Sequence, residues 1–73
     1  MKEPLLTILH YIFSKTAAGG FIPLYDLEVE FALSGSQLRA ILEDLIEAEL
    51  VVETREGFRV SQGGINFGRS RWT

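Results

Sequence analysis

The sequence contains no cysteine and only one histidine, His10. Without cysteine the chain has no disulfide, no redox-active thiol pair and no thiolate ligand for zinc, so the fold depends on packing alone. His10 has no second histidine with which to share a metal ion, and no serine stands in a context typical of an activated nucleophile. We therefore expect no catalytic or metal-binding residues, no cofactor and no enzymatic activity. The lack of cysteine also fits a reducing compartment, and we expect a cytoplasmic protein.

Long hydrophobic runs and an excess of positive charge are also absent. The longest apolar stretch, Leu5 to Phe13, is interrupted by Thr7 and His10 and is much shorter than the roughly 20 residues of a membrane-spanning helix. Ten acidic residues against seven lysines and arginines give a net charge of −3, so the overall charge does not favour a nucleic-acid partner. A chain of 73 residues is long enough for one small domain with a single core.

Three segments have the apolar spacing of amphipathic helices. The first helix is predicted from Pro4 to Lys15, and a short second helix from Leu24 to Phe31. The third segment has the most regular spacing and predicts a helix from Ser36 to Glu49. Either Ser34 or Ser36 can cap this third helix, because a serine hydroxyl accepts a hydrogen bond from a free N–H of the first helical turn.

The residues after the third helix favour β structure. Leu50-Val51-Val52 is rich in β-branched residues, Arg55-Glu56-Gly57 has the composition of a tight turn, and Phe58 to Ser61 alternates apolar and polar residues. This pattern predicts a β-hairpin over residues 51–61. A shorter apolar run, Phe21-Ile22, precedes a proline and predicts at most a short strand between the first two helices.

Residues 1–62 are predicted to form the domain, and residues 63–73 a C-terminal tail that offers a surface to a second copy or another partner. Trp72 near its end exposes a large apolar ring unless it folds back on the core or docks on a partner. The core predicted from the apolar spacing consists of Leu5, Leu9, Ile12, Leu27, Phe31, Leu38, Leu42, Leu45, Val52 and Val60.

The order of helix, short strand, helix, tight turn, long helix and hairpin resembles the winged helix-turn-helix superfamily of small transcription regulators. The resemblance covers Leu5 to Ser61. It rests mainly on the run Leu27-x3-Phe31-x-Leu33-Ser34-Gly35-Ser36-Gln37-Leu38-x3-Leu42-x2-Leu45, followed by Leu50-Val51-Val52 and the Arg55-Glu56-Gly57 turn. It implies an α+β fold of three helices with a C-terminal hairpin wing, in which residues 36–49 are the recognition helix and residues 51–61 the wing. Glu49 departs from the pattern, because many members have glycine there.

The resemblance implies a sequence-specific DNA-binding regulator whose third helix enters the major groove while the hairpin touches the backbone. A domain of this size buries little DNA, so we expect a homodimer that reads two half-sites of double-stranded DNA, with helix one and the tail as available dimer surfaces. Glutamine can pair with adenine, arginine with guanine or phosphate, and serine with phosphate or base. The implied DNA contacts are Ser36, Gln37, Arg39, Arg55, Arg59, Arg69 and Arg71.

The charges of the third helix leave an alternative open. Residues 34–49 carry one arginine against four acids, a net charge of −3, and Glu43, Asp44 and Glu47 fall on the outward face of the helix. Carboxylates there repel phosphate. The alternative function is a winged-helix module that docks on another protein. It would dock through this acidic face or through the apolar edge of the tail formed by Ile65, Phe67 and Trp72.

Overall fold

The computed structural model describes residues 3–73 and has four helices and one two-stranded hairpin in that range. The elements are α1 (Glu3–Thr16), α2 (Leu24–Phe31), α3 (Gly35–Glu47), β1 (Val51–Thr54), β2 (Gly57–Val60) and α4 (Gln62–Trp72). The predicted α+β class is confirmed, and the three predicted helices occur at nearly their predicted boundaries. The predicted total of three helices is wrong, because most of the tail forms α4.

A buried hydroxyl joins the end of α1 to the hairpin. Thr16 is 1% exposed, and its Oγ1 donates a 2.8 Å hydrogen bond to the Ile12 carbonyl one turn earlier. The same oxygen accepts a 2.9 Å hydrogen bond from the Val60 N–H on β2. A buried polar group without partners would cost free energy, and here both functions of the hydroxyl are satisfied. Thr16 therefore fixes the position of β2 relative to α1.

The start of α3 is a capping box. The Ser34 Oγ accepts a hydrogen bond from the Gln37 N–H at 3.2 Å, and the Gln37 Oε1 accepts one from the Ser34 N–H at 3.0 Å. Two N–H groups that would lack partners at the helix start are thereby satisfied. Of the two serines predicted as caps, Ser34 caps the helix and Ser36 lies within its first turn.

The hydrogen bonds at the C-terminal end of α3 account for the backbone conformation of Glu49. The Leu50 N–H donates to the Leu45 carbonyl at 3.0 Å, and the Glu49 N–H donates to the Ile46 carbonyl at 2.9 Å. These two bonds define a Schellman motif, whose residue just past the cap adopts a left-handed conformation. Glu49 has φ +63°, so this glutamate occupies a conformation that glycine adopts at lower cost. The helix consequently ends at Glu47, two residues before its predicted end.

The hairpin has one buried face and one exposed face. β1 and β2 pair antiparallel, with Val51 opposite Val60 and Val52 opposite Arg59. Side chains alternate between the faces of a strand, so Val51 and Val60 point to the core while Val52 and Arg59 point outward. Val51 is 1% exposed and Val52 is 41% exposed. The prediction of Val52 as a core residue is therefore wrong by one position along the strand.

The segment between α1 and α2 reaches the hairpin through one residue. Ile22 and Phe58 exchange two backbone hydrogen bonds of 2.8 Å each. Pro23 follows directly and has no N–H with which to continue a ladder. The short strand predicted here is thus reduced to a single bridged residue, which still anchors the α1–α2 loop to β2.

The core lies between α1, α2, α3 and the inner face of the hairpin. Seven of the predicted core residues are buried: Leu9, Ile12, Leu27, Leu38, Leu42, Leu45 and Val60. Leu5 and Phe31 are only half-buried and pack against the edge of the core. Six further apolar residues are buried that were not predicted to be: Ile8, Phe13, Ile22, Leu50, Val51 and Phe58.

Helix α4 packs on α1 and β2 through two glycines. Its cap is Ser61, whose Oγ accepts a 3.0 Å hydrogen bond from the Gly64 N–H. A Cβ atom at Gly68 would overlap the Phe13 ring, and one at Gly64 would overlap the Leu50 carbonyl. The absence of side chains at these two positions lets the helix backbone approach the core closely. Trp72 folds back onto the core, as one of the two predicted alternatives requires.

Candidate functional site

The residues implied as DNA contacts fall into two regions of the structure. Ser36, Gln37 and Arg39 lie in the first half of α3, and Arg55 and Arg59 lie on the hairpin that follows it. Arg69 and Arg71 lie in the last turn of α4, where positive side chains suit the negative end of a helix dipole. Because α4 packs mainly on α1 and β2, these two arginines are carried by a different layer of the fold from α3.

The first two turns of α3 present small polar side chains to solvent. Ser36, Gln37 and Ala40 are exposed, and residues 35–42 contain no acidic residue. The Gln37 Oε1 accepts hydrogen bonds in the capping box, which leaves its amide nitrogen as the atom free to contact a partner. Two-atom pairing of Gln37 with adenine would therefore require the cap to open.

Arg39 joins α3 to the hairpin. Its Nη1 donates a 2.7 Å hydrogen bond to the Glu53 Oε1 on β1, and its guanidinium carbon lies 5.5 Å from the centroid of the Phe58 ring. The hydrogen bond to Glu53, together with the charge of that carboxylate, raises the pKa of Arg39 above its usual value. The same hydrogen bond lowers the pKa of Glu53. Arg39 is thus engaged within the protein, although sequence reasoning treated it as free to contact a base.

The two hairpin arginines differ in their exposure and in the groups that they contact. Arg55 is exposed in the two-residue turn between β1 and β2 and forms no ion pair among residues 3–73. Arg59 is half-buried on β2, and its guanidinium carbon lies 5.7 Å from the centroid of the Phe21 ring. Arg55 is therefore the hairpin cation best placed to reach a phosphate, whereas Arg59 also covers an exposed aromatic ring.

The second half of α3 is acidic on its outward side. Glu43, Asp44 and Glu47 are exposed, and the Arg39–Glu53 contact is the one ion pair within the described range. None of these three carboxylates forms an ion pair with a basic side chain of that range. The outward surface of α3 therefore changes along its length from a half without acidic residues to a half with three.

The apolar edge predicted for the tail is largely used within the fold. Ile65, Phe67 and Trp72 are half-buried and pack against the core. The Trp72 ring centroid lies 4.6 Å from that of His10 and 5.6 Å from that of Phe13. Of the three, Phe67 also lines an open groove beside α3 together with Ile46 and Val52.

Comparisons with protein-family models, with curated proteins and with solved structures gave no match to this chain. Within residues 3–73, no group of three histidine or acidic side chains is arranged to hold a metal ion. Over the same residues, none of the helices combines the length and apolar character needed to cross a membrane.

Proposed function

We propose that this chain is a winged-helix transcriptional regulator that binds double-stranded DNA. The order of its elements supports this proposal, because two helices joined by the short connection 32–34 are followed by a hairpin. The observation that carries it is the outward side of the first half of α3, where Ser36, Gln37 and Ala40 are exposed and no acidic residue occurs. A helix enters the major groove with its N-terminal residues against the base edges, so this half is the part that must approach DNA.

The proposed contacts are unequal in role. Ser36 and Gln37 approach the bases or nearby phosphates from α3, and Arg55 contacts the backbone from the hairpin turn. Arg39 supports this surface indirectly, because its exposed ion pair with Glu53 links α3 to β1. Arg59 contributes a weaker phosphate contact from beside Phe21.

The acidic half of α3 is compatible with this arrangement at physiological salt. At 1.5 Å per residue, Glu43 lies about 10 Å along the helix from Ser36. That distance exceeds the Debye length of about 8 Å at physiological salt, so repulsion between these acids and a phosphate beside Ser36 is partly screened. At low salt the repulsion is larger, and neutralising the acids should then strengthen binding.

A single-charge comparison tests the proposal. R55A removes the free arginine of the hairpin turn, and K15A removes one positive charge from α1 as a matched control. In fluorescence anisotropy with a labelled duplex, R55A should weaken binding at every sequence and reduce the salt slope by about 1, whereas K15A should change little. Equal effects of the two variants would show that binding is diffuse attraction rather than contact by the hairpin.

A second function, docking on a basic protein surface, is favoured by the three free carboxylates Glu43, Asp44 and Glu47. The triple variant E43Q/D44N/E47Q separates the two functions. It should tighten DNA binding at low salt if α3 lies in the groove. If the wild-type chain binds no DNA and the variant gains none, the acidic face is the better candidate for the functional surface.

A further inference from the structure

A polar cleft lies between the first half of α1 and the last turn of α4. Its volume is about 280 Å³, and its lining within residues 3–73 consists of Glu3, Leu6, Thr7, His10, Arg71 and Trp72. Sites for drug-sized ligands occupy roughly 300–1,000 Å³, so this cleft suits a smaller molecule. Most of its lining side chains carry a charge, a hydroxyl or a ring nitrogen, which distinguishes it from the apolar groove beside α3.

Helical spacing brings the α1 side of the cleft together. Glu3, Thr7 and His10 follow one another at intervals of four and three residues, so they lie on one face of the helix. The Thr7 Oγ1 donates a 2.7 Å hydrogen bond to the Glu3 Oε1. This bond orients the carboxylate and leaves the hydroxyl oxygen as a second acceptor beside it. The α1 side therefore offers two neighbouring groups that accept hydrogen bonds.

The last turn of α4 supplies the opposite charge. The Trp72 ring forms one wall of the cleft and packs on His10, with 4.6 Å between the ring centroids. Arg71 is exposed beside it, and its guanidinium carbon lies 5.6 Å from the centroid of the Phe67 ring. A contact with the face of a ring does not use the N–H donors of the guanidinium, so these donors stay available to a ligand.

The two charges of the cleft are held apart. Glu3 and Arg71 both line it, yet they form no ion pair with each other. An anion alone would be repelled by Glu3, and a cation alone would be repelled by Arg71. A molecule that carries both charges satisfies both side chains, so charge complementarity selects a small zwitterion.

We propose that this cleft binds a free amino acid. The carboxylate of the ligand accepts two N–H hydrogen bonds from Arg71, and its ammonium group donates to the Glu3 carboxylate and the Thr7 hydroxyl. The face of the Trp72 ring also attracts the ammonium group. This site goes beyond the proposed function, because it requires no DNA, and it makes Arg71 a ligand contact rather than a DNA contact.

Titration of the full chain with the non-aromatic L-amino acids, one at a time, tests the site. Trp72 is the only tryptophan and lines the cleft, so binding should change the intrinsic fluorescence. We expect at least one amino acid to give a saturable change at concentrations up to about 10 mM. Its N-acetyl derivative lacks the ammonium group and its amide lacks the carboxylate, so each should bind about tenfold more weakly or worse.

Matched substitutions assign the two charges of the ligand to their partners. R71Q should weaken binding of the amino acid about tenfold but change binding of the amide little, and E3Q should do the same with the N-acetyl derivative as the insensitive ligand. R69Q and E30Q remove exposed charges outside the cleft and should leave the affinity within about twofold of the wild type. Equal circular dichroism spectra establish that all four variants are folded.

Three results would each overturn the proposal. The first is the absence of a saturable change with every amino acid. The second is equal weakening by R71Q and R69Q, which would show a general effect of charge rather than a contact. The third is undiminished binding of the N-acetyl derivative, which would show that the ammonium group is not recognised.

Discussion

Replacing Gly68 with alanine tests whether α4 packs closely on α1. Whether the free energy of unfolding rises or falls gives the answer. At an exposed helix position, glycine to alanine stabilises by about 1 kcal/mol, because alanine has the higher helix propensity. At Gly68 the new Cβ would overlap the ring of Phe13, which is only 9% exposed and has little room to move. Overpacking of this kind costs about 1–3 kcal/mol. We take the upper part of that range because the overlap involves a confined ring, so the net effect is a loss of about 2 kcal/mol.

Trp72 gives a direct assay, because it is the only tryptophan and packs against Phe13 and His10. G68A should shift urea unfolding, followed by tryptophan fluorescence and far-UV circular dichroism, to lower denaturant. It should also lower the melting temperature by roughly 10 °C, since 1 kcal/mol corresponds to about 4–8 °C for a domain of this size. S70A, at an exposed position of the same helix, is the control and should change stability by a few tenths of a kcal/mol at most.

A double-mutant cycle locates the cause of this loss. Shortening the facing ring in F13L makes room for the new methyl group, so G68A should cost less in the F13L background than in the wild type. A stabilising effect of G68A would refute the close packing of α4 on α1. An equal cost in both backgrounds would show that Phe13 is not the obstacle.

Three further predictions concern the ends of α3 and its link to the hairpin. S34A removes the cap and should lower the free energy of unfolding by about 1 kcal/mol in urea titration, and no change would contradict the capping box. E49G should raise stability by about 0.5–1 kcal/mol because of the positive φ at that position, whereas A48G, at a position with helical φ, should lower it. E53Q should be less stable than the wild type at neutral pH. Because the pKa of Glu53 is lowered below 4.5, this difference should fade as the pH falls through and below that value. A difference that is independent of pH would show that the Arg39 ion pair does not contribute.

The sequence analysis was most accurate for the elements in which the buried residues form a regular apolar repeat. Three helices and the hairpin followed from periodicity, because their buried residues repeat at the spacing of the element. Helix α4 has no such signal, since the residues it buries against the core include Gly64 and Gly68, which are poor helix formers and add nothing to an apolar pattern. Its formation depends on the Ser61 cap and on tertiary packing.

The errors at single positions have physical causes. Val51 and Val52 are equally apolar, and only the pairing of Val51 with Val60 decides which of them faces the core. The spacing of Ser34 and Gln37 matches a capping box, so this signal was present in the sequence and identifies the true cap.

The sequence predicted which side chains of the candidate site are exposed, but it did not predict which of them pair with other side chains of the protein. The exposure of Ser36, Gln37 and Arg55 agrees with the sequence analysis. The ion pair of Arg39 with Glu53 joins two residues 14 positions apart on different elements, and no local sequence pattern predicts such a contact. Tertiary structure is therefore needed to decide which cations are free for a partner.

Binding of the full chain to a mixed-sequence DNA duplex, measured by fluorescence anisotropy at low and then physiological salt, tests the central claim most directly. Phosphate contacts release counterions, so we predict saturable binding whose affinity falls steeply as salt rises. Absence of binding at low salt, with circular dichroism showing a folded chain, would contradict the proposal that this domain binds DNA.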